Sequence, residues 1–326
     1  MNTTTPRPPH DPELGAALEM MLSQLGDATM NLETARAMRT ERALPTPGLS
    51  VEALAEANII RRDITVPVAE SIEVEASVFS RSDHTGSGPG IYHVHGRGMI
   101  AGHRLVGVDT LLSWIVDHDA VLLTIDYRLA PEHPDPTPVE DSYAGLVWMH
   151  ENADSLGVDP ATIIIAGASA GGGIAAGTAL LARDRKGPPL AAQALLCPML
   201  DDRDSTVAST QFVDNTLWSR DSNRFGWSCL LGDRVGTDDV SMYAAPGRAT
   251  DLSGLPPTFI DCGSAEVFRD EDAAYASRLW EAGVDAELHV WAGGYHGFDM
   301  VAQHAAVSQA AIAARNNWAA RHIGNQ

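Results

Sequence analysis

The stretch TIIIAGASAGGG, Thr162–Gly173, reads as a strand, then Gly-x-Ser-x-Gly, then the opening of a helix. A serine hydroxyl is a poor nucleophile unless it is held exposed beside a base, and a tight strand-to-helix turn does this. Gly167 and Gly171 flank Ser169 and remove the side chains that would clash in such a turn. The turn also puts the amide of Ala170 at a helix N-terminus, where it can donate to a developing oxyanion. A phosphate-gripping helix start is the alternative. A dinucleotide fingerprint, however, needs glycine where Ser169 stands, and no lysine sits where a P-loop would place one.

On both sides of this stretch, apolar runs alternate with helical ones. Upstream lie ITVPV, VEASVF, GIYHVH and VLLTIDY; downstream lie AQALLCP, PTFIDC and AELHVW. Helical patterns follow several of them: from Ala170, over Asp270–Ala282, and over about Val301–Ala320. Apolar strands each followed by a helix imply an α/β fold with a mostly parallel sheet, covered on both faces. Two helices are expected before any strand. One follows Asp11-Pro12, with Leu14, Leu18 and Met21 on one face and Gly26 as its stop; the other covers about Leu32–Ala43. Residues 1–50 are thus read as N-terminal helices forming part of a cap, and 51–326 as the catalytic domain. Residues from about 200 to 251 interrupt the alternation. They are too long for an ordinary connection and are read as a cap insertion over the substrate.

Composition limits the partners. The chain has 326 residues, 44% of them hydrophobic, and a formal net charge of −21. That excess of acid disfavours nucleic acid and anionic membranes as partners. No apolar run is long enough to span a bilayer, and Met1–Pro9 carry no signal core, so a cytoplasmic location is expected. Cys197, Cys229 and Cys262 are scattered and are read as reduced thiols without metal-like pairing.

A nucleophile on this turn needs an acid and then a histidine further along the chain. His296 lies in AGGYHGFDM, just past AELHVW, at the strand end where catalytic groups of open parallel sheets collect. For the acid, PTFIDCGSAEVFRDEDA offers Asp261, Glu266, Asp270, Glu271 and Asp272. Asp261 falls within or at the end of a strand, and residues 270–272 open a helix, where acids favour the dipole without any catalytic role. Glu266 sits in the loop between and is the choice. It would hold the imidazole tautomer and stabilise the imidazolium.

With HGRGM (95–99), DYRLAPEHPDPTPVEDSYAGLVW, GASAGGG, FRDEDAAYASRLWEAG and HGF, the chain resembles the hormone-sensitive-lipase-like branch of the α/β-hydrolases. The likeness covers nearly all of it after about Leu44. QFVDNTLW and SMYAAPGRATDLSGLPPT are similar to the bacterial subgroup that includes heroin esterase. The resemblance implies an eight-stranded sheet with helices on both faces, a helical cap, members that are often dimers, and an oxyanion hole from the amides of Arg97, Gly98 and Ala170. Two departures stand out: the family commonly has aspartate where Glu266 falls, and glycine where Arg97 falls. Arginine at a positive φ costs about 1–2 kcal/mol over glycine. A guanidinium beside His296 would oppose the imidazolium, so Arg97 is expected to turn away and pair with an acid. Its rival role is gripping an anionic substrate group.

The expectation is therefore a serine carboxylesterase acting on small short- to medium-chain acyl esters through Ser169, His296 and Glu266, with no cofactor. Met99, Ile100 and Trp218 are candidate pocket walls, though each taken singly is better accounted for by core packing. Arg128 is expected to anchor the DYRLAPEHPDP loop. Two rivals remain: a metal hydrolase using His93, His95 and His103 without supporting ligands at suitable spacing, and a non-catalytic small-molecule receptor on the same scaffold.

Overall fold

The computed structural model describes residues 5–25, 29–40 and 47–323. Among these, eight strands form one sheet in the order β1-β2-β4-β3-β5-β6-β7-β8. They are β1 (Ile59–Ala69), β2 (Ile72–Arg81), β3 (Gly88–Val94), β4 (Val121–Ile125), β5 (Val158–Ala168), β6 (Ala192–Leu196), β7 (Thr258–Gly263) and β8 (Ala286–Trp291). The first two pair antiparallel with each other, and β2 pairs antiparallel with β4. From β4 to β8 every pairing is parallel. Each apolar run of the sequence supplies one of these strands.

The helices are α1 (Pro12–Leu25), α2 (Leu32–Thr40), α3 (Val51–Glu56), α4 (Leu112–His118), α5 (Thr137–Glu151), α6 (Ala153–Leu156) and α7 (Ala170–Asp184). They continue as α8 (Val207–Gln211), α9 (Arg220–Leu231), α10 (Arg269–Glu281), α11 (Phe298–Val301) and α12 (Ala306–Ile323). Alternate residues of a central strand feed opposite faces of the sheet. Ile163 and Ile165 pack with α5, α7 and α10 through Leu146, Ile174 and Leu279. Ile164 and Ala166 pack with α4 and α12 through Trp114 and Trp318. Because both faces are covered, β4, β6 and β7 are buried along their whole length rather than at alternate residues.

Asp11 caps α1, its Oδ1 accepting the amides of Glu13 (2.9 Å) and Leu14 (3.3 Å); the expected stop at Gly26 lies outside the described residues. The second helix is described to Thr40, and residues 41–43, the rest of its expected span, also fall outside. The last helix, expected over about Val301–Ala320, starts at Ala306, and Val301 instead ends the short α11. The chain turns at Ala302–Ala305, where Ala305 donates to Ala302 O (3.0 Å), and α12 starts with Ala306 donating to Glu13 of α1 (2.9 Å). An alanine-rich stretch carries no local stop signal, so only the docking of α1 marks this break.

Both N-terminal helices rest on the sheet edge that carries Ser169. Leu14 and Leu18 of α1 pack with Tyr295 and Phe298 on either side of His296. Arg39 of α2 donates to the carbonyls of Ile100 (2.7 Å) and Ala130 (2.5 Å). The segment after β6 runs through α8 and α9, and the hydroxyl of Ser222 accepts the amide of Met30 (3.0 Å).

Candidate active site

Ser169 stands between β5 and α7 with φ +58° and ψ −126°, a strained conformation for a residue with a side chain. Its surroundings over-determine it. The Ser169 amide donates to Leu196 O (2.8 Å), and its carbonyl accepts from Gly173 (3.1 Å) and Met199 (3.0 Å). A Cβ on Gly167 would lie 2.3 Å from Gly171 O, and one on Gly171 would lie 2.1 Å from Val94 O. The two glycines of the motif are thus required by backbone contacts, as the turn demands.

The parallel register carries two distant loops to the same edge. Nε2 of His296 lies 2.9 Å from Ser169 Oγ, and its Nδ1 lies 2.6 Å from Glu266 Oε2. The second carboxylate oxygen of Glu266 accepts the amide of Gly263 at 2.7 Å. Glu266 is fully buried, whereas Ser169 and His296 retain 8% and 9% exposure at the mouth of the site. Phe268 meets the imidazole edge-on, centroids 5.1 Å apart. The arrangement can move a proton from the hydroxyl to the ring while a fixed carboxylate holds the other nitrogen.

The remaining acids of that region go elsewhere. Asp261 meets Arg315 (3.3 Å), and burial pushes its carboxyl up to about 6. Asp270 accepts the amide of Ala208 (2.7 Å), and Glu271 accepts those of Leu200 (2.8 Å) and Asp201 (3.3 Å). Asp272 is fully buried, and desolvation with Glu266 and Glu271 nearby drives its carboxyl well above the usual range.

On the loop after β3, Arg97, Gly98 and Met99 all have positive φ, +82°, +68° and +64°. Arginine therefore occupies a left-handed position, and its side chain is exposed. Among the described residues, neither the amide of Gly98 nor that of Ala170 donates to another group. For Ala170 this is what the first residue of a helix leaves over. Behind the loop, Nδ1 of His95 lies 3.0 Å from Gly96 O. The ring of His95 stacks on Tyr127, centroids 4.2 Å apart, and the Tyr127 hydroxyl donates to His95 O (2.9 Å). Met99 and Ile100 are buried in the core, and Trp218 lies against Gly98. Arg128 clamps its loop by donating to Asp141 at 2.8 and 2.6 Å.

His93, His95 and His103 do not converge: Nδ1 of His93 lies 3.0 Å from Thr124 Oγ1, while His103 accepts the amide of Leu105 (3.3 Å). Among the described residues, one group of three potential ligands does converge, made by Cys197, Glu266 and His296. The parts that sequence reasoning missed, Tyr127, Phe268, Cys197 and Arg315, act through contacts between distant segments. Tyr127 and Phe268 lie in the DYRLAPEHPDP and FRDEDAAYASRLWEAG motifs, but no local pattern states which ring each meets, and Cys197 and Arg315 carry no signature.

Comparison with known proteins gives concordant results. A family model for the alpha/beta hydrolase fold matches residues 91–300. The carboxylesterase NlhH of Mycobacterium tuberculosis is 37% identical over 290 residues, 85% of this chain and 86% of its own. An arylesterase of Saccharolobus solfataricus is 32% identical over 251 residues, covering 73% and 76%. Among solved structures, a bacterial heroin esterase matches with TM-score 0.88 at 38% identity, covering 97% of this chain and 98% of that one.

Proposed function

The chain belongs to the α/β-hydrolase family, in its hormone-sensitive-lipase-like branch, and is a carboxylic ester hydrolase; from that premise we propose that it cleaves short- to medium-chain acyl esters through a covalent acyl-serine. Ser169 Oγ attacks the ester carbonyl carbon as His296 Nε2 takes its proton. The negative charge that develops on the carbonyl oxygen is bound by the amides of Arg97, Gly98 and Ala170. These are preorganised dipoles and need no rearrangement at the moment of reaction. The tetrahedral adduct expels the alcohol, which leaves with the proton from His296. Water, deprotonated by the same imidazole, then releases the acid and restores Ser169. Glu266 holds the ring with Nδ1 protonated and offsets the imidazolium charge.

The observation that carries this reading is the unbroken relay from Glu266 Oε2 to His296 to Ser169 Oγ, at 2.6 and 2.9 Å. α1, α2 and the segment from about 200 to 251 make up the cap, with Trp218 closing one wall above Gly98. A fluorophosphonate probe tests the reading. It should label Ser169 stoichiometrically in the folded enzyme and abolish ester hydrolysis, while Ser169→Ala neither labels nor turns over. Failure of folded enzyme to label would instead support a receptor on this scaffold. Rates across p-nitrophenyl esters of increasing chain length then fix the acyl preference.

A further inference from the structure

The relay leaves one nearby group without a task. Cys197 follows β6 directly, in a left-handed conformation (φ +38°), with its amide donating to Asp261 O at 2.6 Å. This turn aims a buried thiol at the relay. Cys197 Sγ, a carboxylate oxygen of Glu266 and a ring nitrogen of His296 all lie within 4.8 Å of one another, and all three residues are buried. Ester hydrolysis uses no thiol, so the proximity serves no step described above.

We propose that Cys197, Glu266 and His296 form an inhibitory site for a thiophilic divalent cation such as Zn2+, which switches the hydrolase off by taking its base. This rests on reading His296 as that base. Thiolate, imidazole and carboxylate together make the donor set of three-ligand zinc sites, with the fourth position left to water. In a tetrahedron with bonds of about 2.0–2.3 Å the ligand atoms stand roughly 3.3–3.8 Å apart, so closure asks for side-chain shifts of about 1 Å or less. On one side, Cys197 and Glu266 share the wall of a small cavity of about 10 Å³ with Asp261, Cys262 and Arg315, space on the scale of a single small ion. The guanidinium on that wall, Arg315, is already shared between Asp261 and Asp299.

On binding, the thiol releases its proton to solvent, the ion sheds waters, and bonds form to sulfur, nitrogen and oxygen. Ligation through Nε2 consumes the lone pair that would accept the Ser169 proton. Ligation through Nδ1 leaves the ring proton on Nε2, with the same result. Either nitrogen therefore gives an inactive, chelator-reversible state.

The test uses Zn2+ inhibition of p-nitrophenyl acetate hydrolysis, each variant normalised to its own metal-free rate, with EDTA reversal. Cys197→Ala should need about 100-fold more Zn2+ for half-inhibition, the scale on which losing a metal contact acts. Cys229→Ala and Cys262→Ala should behave as the parent. A second readout is independent of turnover: Co2+ should give a thiolate charge-transfer band in the near ultraviolet with the parent and with Ser169→Ala, and none with Cys197→Ser. Equal inhibition of parent and Cys197→Ala, or a band that persists in Cys197→Ser, overturns the site. A band in Ser169→Ala upholds the site even if the acyl-serine reading were to fail.

Discussion

Cη2 of Trp218 stands 2.4 Å from where a Cβ on Gly98 would lie, so the ring of one residue fills the side-chain space of the other. Gly98 also has φ +68°, a region that L side chains avoid. An alanine there meets both obstacles at once. Gly98→Ala should fold, because the loop can move, but moving it takes the amide of Gly98 off the oxyanion. The expected loss is on the order of 10²–10³ in kcat, read with p-nitrophenyl acetate. Adding Trp218→Ala should recover part of that loss by clearing the ring. Parent-like kcat in Gly98→Ala would remove this amide from the oxyanion hole.

Glu266 is expected to outrank every other acid of its region. Glu266→Gln keeps the volume but can donate to Nδ1, which favours the tautomer with the proton on Nε2. On the scale known for such exchanges, kcat should fall by about 10⁴. Asp270→Asn touches only the contacts to Ala208 and Arg269 and should change kcat by less than about tenfold. The reverse ranking would move the acid's role away from Glu266.

That choice shows how much of the site lay in the chain order. Glu266 could be picked because 270–272 read as a helix start and Asp261 as strand, leaving one carboxylate in the loop. Gly167 and Gly171 were legible because a tight turn has a local sequence pattern. By contrast, Cys197 reaches His296 only through the register of β6 on β7, where Leu196 pairs with Asp261. Arg315 looks like an ordinary surface residue of an alanine-rich helix, yet it is 2% exposed. Its burial follows from where α12 packs, which no local pattern states. The break between α11 and α12 was missed for the same reason.

Arg97 holds a left-handed position at φ +82° with its side chain exposed. Arg97→Gly relieves about 1–2 kcal/mol of backbone strain. It also adds about 0.5–1 kcal/mol of chain entropy to the unfolded state. The melting temperature should therefore shift by only a few degrees. Activity should change by a similar factor on p-nitrophenyl acetate and on an ester carrying a free carboxylate. A loss confined to the carboxylate ester would make Arg97 a substrate-reading residue.

His93 should make the fold acid-sensitive. Burial lowers its folded-state value to about 3, from an ordinary 6.5. Between those values the unfolded chain binds the proton and the folded chain does not, so stability is full above about pH 6.5 and falls as the pH drops. At pH 5 the loss from this one group is about 2 kcal/mol relative to pH 8. His93→Asn, which can still reach Thr124, should flatten urea-measured stability between pH 8 and 5 by that amount. An unchanged slope would mean that His93 is not the group responsible.

Arg315 joins two segments of the site from behind: it meets Asp261 within β7 (3.3 Å) and Asp299 three residues past His296 (2.6 Å). Arg315→Met leaves two largely buried carboxylates facing each other without a cation. Breaking such a group from one side costs about 3–5 kcal/mol. The pH dependence has a definite sign. Asp261 already sits at about 6 with the cation present, because burial outweighs it. Without the guanidinium its folded value rises further above the unfolded 3.8, so the protonated form is favoured and stability is lost as pH rises through that widened window. Arg315→Met should therefore be most damaging at pH 8 and partly rescued near pH 5. The triple variant Arg315→Met, Asp261→Asn, Asp299→Asn removes every charge of the group and should regain most of the melting temperature, since replacing a whole buried ion cluster is often neutral. If stability returns while kcat stays low, the cluster acts by holding the His296 loop in register. If both return together, it is a packing element and nothing more.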